Sequence, residues 1–99
     1  MYRGTTPTHT FTTDADLTEC VVMYVTYSQG HSVIVEKSIE DCTITTDSVT
    51  VTLTQEDTLH FIAGLPVRVQ IRAGWAEGTR IASNILVTSA NAILKDGAI

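Results

Sequence analysis

The chain has 99 residues, 43% of them hydrophobic, and eleven acids against six bases give a net charge near −5. That length makes one domain, able to bury enough apolar surface to fold without metal or disulfide staples. The bases Arg3, Lys37, Arg68, Arg72, Arg80 and Lys95 are spread along the chain. Nucleic acid and anionic membrane, which need clustered positive charge, are therefore not expected partners. No apolar run reaches the ~20 residues of a membrane-spanning helix. Thr is common, and Val and Ile outweigh Leu, a bias toward pleated, half-buried strands.

Residues 1–7 read as an extended arm, because Pro7 holds Thr6 in extended conformations. Such an arm frays or lies along a neighbouring subunit. It lacks the apolar core of a signal peptide, so the cytoplasm is the expected compartment. Thr8–Thr13 reads as a first short strand with His9 and Phe11 on its core face. Asp14-Ala15-Asp16 breaks it; two acids do not supply the six or more oxygens of a calcium site, so a turn with a charged rim is expected.

Thr18–Ser28 has the pattern of a long strand: Val21, Met23, Val25 and Tyr27 on one face, Cys20, Val22 and Tyr24 on the other. Apolar residues on both sides mark a central or covered strand. Gln29-Gly30 is a turn signal. Ser32–Ser38 returns, with Val33 and Val35 on one side and Ile34 and Glu36 on the other. Ile39-Glu40-Asp41 makes a corner. Cys42–Thr46 is the next strand, with Cys42 and Ile44 inward. Cys20 outward and Cys42 inward cannot meet, and a reducing compartment argues likewise, so two free thiols are expected.

Ser48–Leu53 alternates strictly: Val49, Val51 and Leu53 against Ser48, Thr50 and Thr52. This is a strand with one buried and one wet face. Thr54 with Asp57 three residues on has the shape of a capped helix start, and one helical turn should cross from one sheet to the other. The next strand repeats the alternation, with Val67, Val69 and Ile71 inward and Arg68, Gln70 and Arg72 outward. Trp75 shares the parity of Ile71 and should plug the open end of the core. Thr79–Ser89 returns, with Ile81, Ile85 and Val87 in phase and Leu86 on the other side. The apolar tail Asn91–Ile99 should dock on its own domain or on a partner's strand edge.

The fold class expected is all-β: a two-sheet antiparallel, immunoglobulin-like sandwich of about seven strands, with one helical turn near residues 55–59. The arm spans 1–7 and the domain 8–99; a small barrel is the alternative. No phosphate loop, CxxC or nucleophile elbow is present. His9, His31 and His60 lack zinc spacing. No catalytic residue, cofactor or metal is expected. The surface residues with interface character are Tyr2, Arg3, Arg68, Gln70, Arg72, Trp75, Leu86, Ile93 and Leu94.

Three stretches, Tyr2–Thr8, Val51–Thr58 and Ile93–Gly97, resemble a group of small prophage-encoded proteins of Gram-positive bacteria. The resemblance implies a non-enzymatic phage structural or accessory component of the tail or head–tail region. Its partners would be other phage structural proteins or further copies of itself, first in the bacterial cytoplasm and then in the virion. It carries over no functional residues. The alternative is a ligand- or carbohydrate-binding module of a bacterial surface protein, with Tyr24, Tyr27 or Trp75 as stacking platforms.

Overall fold

The computed structural model describes all 99 residues. Eight strands form two antiparallel sheets. β1 (Thr8–Thr12), β5 (Ser48–Thr52) and β4 (Cys42–Ile44) make the smaller sheet, in the order β1-β5-β4. β2 (Val22–Gln29), β3 (Ser32–Ser38), β6 (Pro66–Gly74), β7 (Arg80–Ala82) and β8 (Leu86–Ser89) make the larger one. Its order is β3-β2-β6, with β7 and β8 sharing the far side of β6. A 3₁₀ turn, Ile39–Asp41, and one short helix, α1 (Gln55–Leu59), carry the chain between sheets.

The inner faces arise from alternation. Val49 and Val51 of the small sheet face Met23, Val25, Tyr27, Val67, Val69 and Ile71 of the large one, and all are buried. The outer face of the small sheet is a field of hydroxyls. Thr8 meets Thr52 at 2.8 Å and Thr10 meets Thr50 at 3.1 Å, each side chain satisfying its cross-strand neighbour.

The helix start forms as its residues dictate. The Asp57 N–H donates to Thr54 Oγ1 (3.0 Å), and the Thr54 N–H donates to Asp57 Oδ2 (2.8 Å). This reciprocal cap satisfies two otherwise orphaned donors. The Lys37 ammonium of β3 lies 2.7 Å from the same Asp57 oxygen, so one carboxylate ties α1 to the large sheet. Burial alone would raise the Asp57 carboxyl. The Lys37 contact and the Thr54 bonds outweigh it and hold the group below its ordinary value. Its contribution to stability is therefore complete at neutral pH and fades as pH falls through that lowered value.

Several expectations need correction. The long second strand begins at Val22, not Thr18. Asp16 Oδ1 accepts both the N–H and the hydroxyl of Thr18, and the Cys20 N–H donates to Leu17 O. That turn folds Leu17 and Cys20 into the core and leaves Val21 outside, against the parity expected for both. Cys20 and Cys42 are free thiols, and burial raises both. On β3, the pairing slips between Tyr27↔Val35 and Ser28↔Val33. This bulge turns Val33 outward, although its spacing from Val35 placed both on one face. The final return strand is broken. The Ser83 hydroxyl accepts the Ile71 N–H, and the Ser83 N–H donates to Ile71 O. β7 pairs Arg72↔Ala82, whereas β8 pairs Val69↔Leu86. The pairing slips by one residue, so Val87 sits opposite Arg68 on the outer side and no longer shares the parity of Ile81.

The termini clasp each other. Tyr2 pairs with Asn91 in a parallel bridge, and the Met1 ammonium donates to Ser89 O. Arg3 is the clasp's centre: its guanidinium donates to Phe61 O (2.7 Å) and Leu59 O (3.0 Å), and pairs with Asp96 (3.0 Å). Ile93 rests against Gly4. The arm therefore lies along its own domain. Arg3→Ala is expected to lower unfolding free energy by about 2 kcal/mol, the scale of charge-assisted bonds. Arg3→Lys, which lacks the planar fork, should restore less than half of that. Thr54→Ala should remove about 1 kcal/mol. Urea unfolding of the three variants beside the parent measures all of these.

Candidate interaction surface

The outer face of the large sheet is where the sequence leaves charge and apolar surface together. On β6 the outward residues are Arg68, Gln70 and Arg72. Their partners on β2 are Ser28, Thr26 and Tyr24. Glu36 of β3 stands beside Thr26, and Val33 beside Ser28. With Arg80 and Ile85 these residues surround an open cleft of about 500 Å³. Three guanidiniums meet one carboxylate there, although the chain as a whole is acidic.

Arg80 is fixed, donating to Trp75 O and Thr79 O at 3.0 Å each. It lies across Gly74, where a Cβ would come within 2.6 Å of Arg80 Cδ; only glycine leaves that path clear. Gln70 is fixed by donating to Ser83 O (2.9 Å). The guanidiniums of Arg68 and Arg72 make neither an ion pair nor a hydrogen bond within the chain. The two ion pairs present are Arg3–Asp96 and Lys37–Asp57.

The expected interface residues fall into separate places. Arg68, Gln70 and Arg72 come together in the cleft. Tyr2, Arg3 and Ile93 belong to the terminal clasp, and Arg3 is committed to its own chain. Leu86 is half-exposed on β8, but on the inner parity and so outside the cleft. Leu94 is fully exposed in the tail. Trp75 is half-buried and packs against the core, as its parity with Ile71 implies. Val33, Ile85, Arg80 and Glu36 meet at the cleft without a shared sequence signal. The apolar outward pair Val22 and Tyr24 was the available signal. A second, smaller gap of about 360 Å³ opens between the Thr12–Leu17 segment and β7–β8, floored by Leu17 and Ile71.

Inside the protein, Tyr27 and His9 are packed together. Tyr27 is fully buried and cannot act as a stacking platform. Its hydroxyl is 2.7 Å from His9 Nδ1, and burial pushes its ionisation far above the ordinary value. Tyr27 keeps its proton and can donate it to a neutral His9. Burial, and secondarily the nearby terminal ammonium, lower the His9 value. No group of three or more His, Cys, Asp or Glu side chains converges in a way that could hold a metal ion, and no helix is long and apolar enough to cross a membrane.

The chain matches no protein-family model, no curated protein and no solved structure.

His9 gives a pH signature. An imidazole whose value is lowered by folding binds its proton more readily in the unfolded chain. Stability is then complete above the ordinary value of 6.5 and falls as pH drops through it toward the folded value. Chemical denaturation of the parent between neutral and mildly acid pH should show this loss. In His9→Gln the slope over that window should flatten; an unchanged slope would assign it to other groups.

Proposed function

We propose that this protein is a non-enzymatic assembly module that works through protein–protein contacts. It would be a phage structural or accessory component of the tail or head–tail region, built in the bacterial cytoplasm and retained in the virion. The two facing sheets are read here as an immunoglobulin-like sandwich, a fold that presents faces and edges to partners. One observation carries the reading: a single side of the large sheet holds exposed Val33, Ile85 and Val87 beside Arg68 and Arg72, whose charges have no partner in the chain. Apolar surface and arginine together are the composition of a contact patch. The β8 edge extends it, since an exposed apolar edge strand invites pairing with another chain.

A ligand- or carbohydrate-binding module is the second reading. It is favoured by Tyr24, the one proposed stacking ring that lies in the cleft. Binding to a glycan array would support it, and the absence of any hit would remove it.

The assembly reading is tested in the source bacterium. After prophage induction, particles banded on a density gradient should contain the protein. Val87→Lys, which places a charge on the β8 edge, should reduce its incorporation severalfold while leaving the fold intact. A protein recovered only at the top of the gradient would refute the virion assignment.

A further inference from the structure

We propose that the cleft over β2 and β6 receives an extended, acidic segment of a partner protein, with two carboxylates four residues apart. The inference rests on the assembly reading and adds the chemistry of what is bound.

The first support is charge accounting. Arg3 and Lys37 are paired with acids, Arg80 is tethered to two carbonyls, and the Lys95 ammonium meets Asp96 O. Arg68 and Arg72 alone among the bases are left with no polar partner inside the chain. They sit in a cleft with one acid, Glu36, on its β3 side. An incoming carboxylate is thus favoured over β6 and opposed over β3, which sets where the ligand lies.

The second support is spacing. Residues 68, 70 and 72 point the same way on one strand, so the two guanidinium stems stand about 13 Å apart at the usual strand rise. A helix spans only about 6 Å over four residues, so acids on one helical face four apart cannot serve both. An extended segment has the same rise as β6. Its residues i and i+4 then stand over Arg72 and Arg68 in either direction, and residue i+2 stands over Gln70. Carboxylates suit the planar fork of arginine, which can bind them through two parallel bonds. Tyr24, Val33 and Ile85 flank that track and provide apolar cover for the segment's intervening residues. The chain as a whole is acidic, which opposes a polyphosphate strand at long range more strongly than a short peptide with two carboxylates.

The test is amide-resolved NMR on the isotope-labelled full chain. The probes are a capped peptide Gly-Asp-Thr-Val-Thr-Asp-Gly, its counterpart with both Asp replaced by Asn, and an oligothymidylate. The acidic peptide should shift the amides of Tyr24, Gln70 and Arg72 and leave β1, β4 and β5 unmoved. Binding should weaken with added salt. The double variant Arg68→Gln/Arg72→Gln should bind about tenfold or more weakly, the effect of losing a charge-assisted contact. These side chains are exposed, so its spectrum should otherwise match the parent; Arg72→Glu gives an independent check by reversing the charge. Equal binding of the Asn peptide would overturn acid recognition while leaving the assembly reading in place. No binding of the acidic peptide would overturn the inference alone. Preferential binding of the oligothymidylate would overturn both.

Discussion

Within the apolar core, one buried tyrosine supplies a polar contact between the two sheets. Tyr27 reaches from the large sheet to the small one, enclosed to its hydroxyl, and a phenol without a partner there would forfeit about 1–3 kcal/mol. His9 meets that need at 2.7 Å from β1, and Phe61, following α1, packs edge-on against the ring. The strand pairings on either side are local matters of alternation. This contact, being directional, adds a fixed point of registration between the sheets to their apolar packing. Partial burial there also lowers the His9 value, so the imidazole that meets the phenol is held toward its neutral form.

Filling the interior from both sheets consumes the inward rows of β2, β5 and β6 and leaves the outward rows to differ. On the small sheet that row is threonine paired with threonine, neutral and already satisfied. On the large sheet it is arginine, glutamine and tyrosine. The contrast directs attention to one face. The cleft there takes its shape from places where regular pairing fails: the slip opposite Ser28 turns Val33 outward, and the break at Ser83 brings Ile85 to the rim. Bulges commonly re-aim single side chains in this way.

The regular parts of this architecture are legible in the amino-acid sequence. Ser48–Thr52 and Pro66–Gly74 announce themselves by strict alternation, and Thr54 with Asp57 announces the helix start. All three signals are local, so a linear reading captures them. What escaped was non-local or depended on a count of one. The tight turn at Leu17–Cys20 inverted the parity of Cys20 and Val21. A one-residue slip moved Val33, and another divided the last strand. The bases look dispersed because their separation along the chain hides their neighbourhood in space: Arg80 joins Arg72 at the cleft only after a hairpin. The hold of Arg3 on the carbonyls of Leu59 and Phe61 has no sequence signature, since backbone acceptors exist at every position.

The origin of the cleft's two apolar walls has a consequence for substitution. Val33 and Ile85 occupy positions freed from the inward–outward rhythm, so neither contributes to the interior that Tyr27 and its neighbours fill. Larger, smaller or polar residues fit at both positions without disturbing that interior, and each would reshape the walls of the cleft. The face of the large sheet can therefore change while the packing between the sheets stays the same.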